Sequence, residues 1–268
     1  MNNFEIFSGP CVLESENLAI EIAGSVLEQL KPFKNISYTF KGSFDKANRS
    51  SITSYRGPGI EKGLQILEKV KKEFNIPVVT DYHSPDQAME VASIVDTLQV
   101  PAFLCRQTDM IVAGAQACEK YNRRLKVKKG QFLSPEETQN IVEKASSIIS
   151  KDQILLTERG SSFGYNNLIV DMASFQIMKS FGVKVIHDAT HCVQKPGGLG
   201  KSTDGKRDQI RVLARAAVAA GCDGVFMEVH PEPEKALSDP TTCLPLKSVS
   251  SVISELIKIY EVVNEFSN

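Results

Sequence analysis

ISYTFKGSFDKANRSS (Ile36–Ser51) decides how this chain is read. Five strand-forming residues, Ile36 to Phe40, run without a break into a loop that carries Lys41, Lys46 and Arg49 beside Asn48, Ser50 and Ser51. Such a segment makes a poor core and a good anion site. Lysine and arginine bring charge, while asparagine and serine bring oriented donors that fit several oxygens at once. A solvated basic loop is the plain alternative. Recurrence decides against it, because other apolar strands along the chain also end in polar clusters.

Working outward, short apolar strands are read near Phe4–Ser8, Ile36–Phe40, Pro77–Thr80, Thr97–Val100, Leu125–Lys128, Ile154–Thr157, Val183–His187 and Gly224–Glu228. Helical periodicity fills the gaps. Leu18, Ile22, Val26 and Leu30 recur every four residues, Ile60, Leu64, Leu67 and Phe74 share one face, and Val249, Val252, Ile253, Leu256, Tyr260 and Val263 mark the last helix. Ser134-Pro135-Glu136-Glu137 combines a cap, a first-turn proline and a capping-box glutamate, and Ser84-Pro85-Asp86 is expected to do similar work. Eight strand–helix alternations predict the α/β class and a (β/α)8 TIM barrel, with residues 1–268 as one domain. An open doubly wound sheet is the alternative, but no glycine-rich dinucleotide turn follows the first strand.

Composition narrows the partners. The chain has 268 residues, 42% of them hydrophobic, a formal net charge of -1 and a pI of about 6.5. Without a global basic field, nucleic acid and an anionic membrane are not expected as partners, so any anion site must be built locally. Six cysteines are scattered with no CxxC pair, and MNNFEIFSGP lacks both a basic region and an apolar signal core. Reduced thiols in a cytoplasmic protein are the expectation. No apolar run approaches the ~20 residues that span a bilayer.

In such a barrel the chemistry sits beyond the carboxyl ends of the strands. There the sequence places Gly9-Pro10-Cys11, the cationic loop, Asp81-Tyr82-His83, Gln99, then Lys126, Lys128 and Lys129, then Glu158-Arg159-Gly160, His187-Asp188-Ala189-Thr190-His191 with Gln194, and Glu228-Val229-His230 with Asp239. Cations at the ends of strands two, five and six repel one another unless an anion neutralises them. This predicts a ligand with several negative charges; two phosphates and a carboxylate fit the count. Cys11, His191, Glu228 and Asp239 offer sulfur, nitrogen and oxygen donors that suit Zn2+, Fe2+ or Mn2+. No short motif links these four, and a buried cysteine with a hydrogen-bonded histidine is the alternative reading.

GPCVLES (Gly9–Ser15), KGSFDKANRSS, SYRGPG (Ser54–Gly59), LQVPAFLCRQTD (Leu98–Asp109), VKKGQF (Val127–Phe132), ERGSSFGYNNLIVDM (Glu158–Met172), DATHCVQ (Asp188–Gln194) and EVHPEPEKALSD (Glu228–Asp239) stand in this order. With them the chain resembles the 3-deoxy-D-manno-octulosonate 8-phosphate synthases over nearly its full length. The resemblance implies condensation of phosphoenolpyruvate with D-arabinose 5-phosphate and water, release of inorganic phosphate, and a place in lipopolysaccharide inner-core synthesis. Lys128, Arg159 and Gln99 match positions that hold phosphoenolpyruvate, Lys41 and Lys46 those that reach the reacting centre, and Asn48, Arg49 and Ser50 those that take the pentose phosphate. Gln194 and His191 complete the implied site. Arg106 matches an arginine that reaches a neighbouring subunit's site, which implies a homo-oligomer, a tetramer. Cysteine at Cys11, with His191, Glu228 and Asp239, resembles the metal-dependent branch of the family and implies one divalent ion.

Some residues depart from the family pattern. Lys126 stands where asparagine is common, His187 where phenylalanine is, and Pro240 follows Asp239 where glycine or alanine is frequent. KPGGLGKSTDGKR (Lys195–Arg207) resembles a mobile cover. The related synthase that takes erythrose 4-phosphate carries Lys-Pro-Arg-Thr where this chain has Lys46-Ala47-Asn48-Arg49-Ser50-Ser51, and the longer polar run suits the longer sugar. A catalytically silent barrel that only binds a phosphosugar is the rival of another class, though here every candidate cation and ligand is present.

Overall fold

The computed structural model describes residues 3–195 and 204–266. Parallel strands β1 (Phe4–Gly9), β2 (Ile36–Lys41), β3 (Val78–Asp81), β4 (Thr97–Val100), β5 (Arg124–Lys128), β6 (Ile154–Glu158), β7 (Lys184–Asp188) and β8 (Gly224–His230) pair in chain order. The circle closes where β1 pairs with β8, Gly9 opposite Glu228. Closure decides for the barrel and against the open sheet. Around it run α1 (Glu16–Leu30), α2 (Ile60–Phe74), α3 (Ala88–Ile94), α4 (Thr108–Tyr121), α5 (Gln139–Ser146), α6 (Ser174–Lys179), α7 (Ile210–Ala219) and α8 (Val249–Glu265). No helix among the described residues is long and apolar enough to cross a membrane.

The start signals act with one exception. Ser15 Oγ accepts from the Leu18 amide at 3.2 Å to cap α1. At Ser134 the capping box is reciprocal: Glu137 Oε2 accepts from the Ser134 amide at 2.9 Å and Ser134 Oγ accepts from the Glu137 amide at 3.4 Å. It opens a 3-10 turn, Glu136–Thr138, that leads into α5. Ser84 makes no side-chain cap; Gln87 Oε1 instead accepts the His83 amide at 2.8 Å.

Side chains alternate inward and outward along each strand. The outward set (Ile6, Phe40, Val78, Leu98, Val127, Leu156, Val185) packs under the helices, each fully buried and contributing ~1.5–3 kcal/mol by removal from water. The inward set is layered. Glu5 at one end accepts from Arg124 at 3.1 Å and Lys184 at 2.8 Å. Phe7, Val79, Leu155, Ile186 and Phe226 form the apolar middle. Above them stand Lys41, Asp81, Gln99, Lys128, Asp188 and Glu228, all buried.

Most strands run past the bounds expected from sequence. β2, β3, β6 and β7 include Lys41, Asp81, Glu158 and Asp188 respectively, where the apolar runs end one residue earlier, and β8 continues past Glu228 to His230. Hydrophobicity stops there, but the backbone ladder does not, because pairing depends on the main chain and not on side-chain polarity. Four charged groups expected just beyond the strands are therefore held by the sheet.

Candidate active site

Lys41 is the hub. At the end of β2 its Nζ donates to the Pro10 carbonyl at 3.1 Å, the Cys11 carbonyl at 2.6 Å and Glu228 Oε1 at 2.6 Å. A side chain at Gly9 would collide with the Lys41 backbone, so glycine is required for β1 and β2 to approach this closely. One cation thus fixes both the loop that carries Cys11 and the carboxylate on β8. Lys46 Nζ lies 3.9 Å from Glu228 Oε1 and donates to Ser43 Oγ at 3.1 Å. Burial opposes charge on Lys46, but Cys11, Glu228, Asp81 and Asp239 together hold its ammonium above the usual lysine range.

A second network crosses the mouth. Lys126 Nζ donates to Gln99 Oε1 at 2.8 Å, Gln99 Nε2 to Asp81 Oδ1 at 2.5 Å, and Ser43 Oγ to Asp81 Oδ2 at 2.9 Å. On β5, Lys128 donates to Asp188 Oδ2 at 2.8 Å, 3.9 Å above the Phe226 ring. Arg159 donates to the His191 carbonyl at 3.3 Å and to Gln194 Oε1 at 2.9 Å. No carboxylate among the described residues stands within ion-pair distance of Arg159; burial lowers its guanidinium, and Asp188, Asp239 and Glu158 oppose that from farther off.

These carboxylates correct the charge argument drawn from sequence. Lys41 and Lys128 do not wait for an outside anion; Glu228 and Asp188 already answer them. Burial alone would raise the Glu228 carboxyl, yet His191, Lys41, Lys46 and Lys128 hold it well below the usual range. Asp81 is held low in the same sense, chiefly by Lys46 and Lys41 against its own burial. Lys41, Lys46, Lys128 and Arg159 thus face Asp81, Asp188, Glu228 and Asp239, and of these four cations Arg159 alone has no carboxylate within ion-pair distance among the described residues.

The four donors scattered in sequence come together: one ligand atom each from Cys11, His191, Glu228 and Asp239 lies within 4.8 Å of the others. His191 opens a 3-10 turn after β7, its amide held by Asp188 Oδ1 at 2.9 Å. Asp188 also meets Nδ1 of the ring, which leaves Nε2 at 3.4 Å from Glu228 Oε2 and 3.7 Å from Asp239 Oδ2. Cys11 Sγ lies 3.2 Å from Asp239 Oδ2 and donates to Ser238 Oγ at 2.8 Å. Burial, with Glu228 beside it, pushes the Cys11 thiol up. Glu228 Oε2 is buried with no hydrogen-bond partner. A buried orphan carboxylate oxygen, an imidazole nitrogen, a sulfur and a second carboxylate converging on one point are a donor set that fits a divalent cation. Asp239 is presented from a left-handed backbone position (φ 49°), closed by Thr242 and Cys243 amides donating to its carbonyl.

Other predicted residues lie apart. Asn48 and Ser50 are exposed on the rim. Arg49 stitches that rim across the mouth, donating to the Tyr55 carbonyl at 2.9 Å and the Leu237 carbonyl at 3.2 Å. Arg106 is outside the cluster, its side chain 53% exposed and its guanidinium 3.3 Å from Glu137. His187 faces the helices: fully buried, it meets Phe175 edge-on at 5.7 Å and 72°. Its ring fills an aromatic niche, and burial lowers it to about 4. Of the Lys195–Arg207 segment, residues 196–203 lie outside the described residues, while Gln194–Lys195 pairs antiparallel with Asp204–Gly205. Sequence reasoning set Asp81 and Asp188 among the polar strand ends and Ser43 in the cationic loop but gave none of the three a role. Asp188 had a signal, an aspartate three residues before a candidate ligand histidine.

A family model described as the DAHP synthetase I family matches residues 2–265. Over 265 residues the chain is 50% identical to a 2-dehydro-3-deoxyphosphooctonate aldolase of Albidiferax ferrireducens, covering 97% of this chain and 91% of that protein. The chain belongs to this family. Proteins of the same name from Francisella philomiragia and Desulfotalea psychrophila are 50% and 48% identical over 260 residues, covering 97% of this chain and 92% and 91% of theirs. The family description alone does not separate the two sugar specificities weighed from sequence; the aldolases' shared name does. The chain is thus an enzyme by kinship, and the polar layer at the barrel mouth is where a (β/α)8 enzyme keeps its chemistry.

Proposed function

We propose that residues 1–268 work as one catalytic barrel that condenses phosphoenolpyruvate with D-arabinose 5-phosphate and water, giving 3-deoxy-D-manno-octulosonate 8-phosphate and inorganic phosphate, and that the chain is of the metal-dependent branch. The observation that carries the reading is the convergence of Cys11, His191, Glu228 and Asp239 beside the cations Lys41, Lys46, Lys128 and Arg159. Kinship with the 2-dehydro-3-deoxyphosphooctonate aldolases supports the substrate pair.

In this reading Arg159, Lys128 and Gln99 take the carboxylate and phosphate of phosphoenolpyruvate, and Gln194 orients the Arg159 guanidinium it already accepts from. Asn48, Arg49 and Ser50 take the pentose phosphate at the rim. The two anions repel in water; fixed cations offset that and supply proximity worth ~7–11 kcal/mol at best. Carbon C3 of phosphoenolpyruvate then bonds to the aldehyde carbon, water adds at C2, and the hemiketal phosphate expels phosphate with C–O cleavage. Lys46, held charged by its neighbours, is placed to steady the developing alkoxide or give it a proton, and Lys41 keeps Glu228 and the Cys11 loop in position. A divalent ion held by Cys11, His191, Glu228 and Asp239 would supply Lewis acidity toward an oxygen and tip the balanced mouth toward positive charge.

A homotetramer in the cytoplasm completes the proposal. Exposed Phe103, Phe132, Phe163 and Tyr165, on loops beyond the carboxyl ends of β4, β5 and β6, together with half-exposed Arg106, support an interface there. The test is phosphate release from phosphoenolpyruvate with arabinose 5-phosphate, before and after chelation, with erythrose 4-phosphate as control. Activity with the pentose that dies on chelation and returns with a divalent ion is the expected result. Activity indifferent to complete metal removal overturns the role of Cys11, and no turnover with either sugar brings the silent barrel forward.

A further inference from the structure

Among the described residues four lysines are buried: Lys41, Lys126, Lys128 and Lys129. Three of them stand against a carboxylate: Lys41 at 2.6 Å from Glu228, Lys128 at 2.8 Å from Asp188, and Lys129 at 3.5 Å from Glu158. Lys126 has none within ion-pair distance among the described residues. Its Nζ donates to the neutral amide oxygen of Gln99 at 2.8 Å and lies 5.2 Å and 4.7 Å from the ring centroids of Phe7 and Phe226.

The groups around it come from every side of the barrel. Lys128 on its own strand and Lys41 on β2 repel a charge there; Asp81 on β3 and Asp188 on β7 attract one. Both aspartates are already engaged, Asp81 by Gln99 and Ser43 and Asp188 by Lys128 and His191. The inward residues Phe7 on β1, Gln99 on β4, Leu155 on β6 and Phe226 on β8 are neutral. An ammonium in this position gives up its hydration for two ring faces and one amide oxygen. Burial first, and the charge of Lys128 second, hold Lys126 well below the usual lysine range.

An arriving anion changes the balance. Seated on Lys46, Lys128 and Arg159, it places several negative charges one layer above Lys126 and offsets the repulsion from Lys128 and Lys41. We infer that seating a multiply charged anion in the barrel mouth is coupled to protonation of Lys126: the amine takes a proton from solvent as the anion enters and returns it when the anion leaves. The step converts an amine to an ammonium and changes no other bond. The inference rests on the anion site proposed above. It makes Lys126 a positioning residue, since it acts on ligand through Gln99 and through the field it adds beneath Lys128. The substrate-free barrel is then spared an unpaired buried charge, and the charge is present only while the ligand that needs it is bound.

The measurement is titration calorimetry of phosphoenolpyruvate into the metal-loaded enzyme, in Tris and in HEPES, at a pH where phosphoenolpyruvate itself carries no titratable proton. The dependence of the heat on buffer protonation enthalpy counts protons taken up. Wild type is expected to take up a proton per site beyond whatever Lys126→Met and Lys126→Asn take up. A wild type that takes up none, or variants whose uptake equals it, overturns the inference, and the wild-type result alone decides if a variant fails to fold. Sulfate, which does not titrate in this range, is run in parallel. A chain that refuses phosphoenolpyruvate but takes up a proton with sulfate sinks the substrate reading and keeps the role of Lys126, whereas a chain that binds neither anion sinks both.

Discussion

Asp188 grips the His191 ring at Nδ1, 2.9 Å away, and so turns Nε2 toward Glu228 and Asp239. A carboxylate behind a ligand histidine fixes its tautomer and raises its basicity. The same Asp188 takes the ammonium of Lys128, which ties the anion side of the mouth to its cation side through one residue.

Asp188→Asn should therefore weaken divalent-ion binding by ~10–100-fold, the range for partners behind a metal ligand. Competition against a chromophoric chelator reads this directly. Unchanged affinity would mean that Asp188 serves Lys128 alone.

Cys11→Asn tests the sulfur. Loss of tight ion binding is expected, and retained activity that still needs added metal would remove Cys11 from the ligand set.

Lys41→Met should destabilise the metal-free protein by about 3 kcal/mol, because it strands the buried Glu228 charge. Urea unfolding after chelation measures it. A loss below about 1 kcal/mol would show that Lys46, at 3.9 Å, carries the carboxylate unaided.

His187 gives the stability curve an acid limb. Its folded value of about 4 lies below the ordinary 6.5, so the native state binds fewer protons than the unfolded chain between them. That contribution is complete above pH 6.5 and is lost as pH falls toward 4, reaching ~3 kcal/mol. His187→Phe removes the titration and the unpartnered Nδ1 while keeping the edge contact to Phe175. Thermal melts across that window should show the variant flatter and more stable at the acid end; parallel curves would count against it.

Arg49→Ala and Arg159→Lys should separate the two substrates. The first should raise KM for arabinose 5-phosphate and the second KM for phosphoenolpyruvate, each by ~10–100-fold for a charge-assisted bond. Effects on the same substrate would redraw the site.

The barrel was legible because eight apolar runs alternate with amphipathic helices, and the cationic loop was legible because Lys41, Lys46 and Arg49 crowd one segment. Their answering charges were not. Asp81 and Asp188 sit where apolar runs end, so they read only as polar strand ends without a partner until the ladder carries them into the interior. Ser43 links Lys46 to Asp81 across two strands, a contact that depends on register. Lys126 read as one more cation at the end of strand five beside Lys128 and Lys129; only inward alternation on β5 puts it over Phe7 and Phe226.

Glu5 with Arg124 and Lys184 stops one end of the barrel, and the Phe7–Phe226 layer seals the middle. Traffic is then confined to a single doorway. On the proposed assignment, the guest that docks at Lys128 and Arg159 must enter before the one that stands at Asn48 and Arg49, and cannot back out past it. On that assignment the enzyme works as a queue with one gate: the first molecule in is walled behind the second until bond formation makes them one.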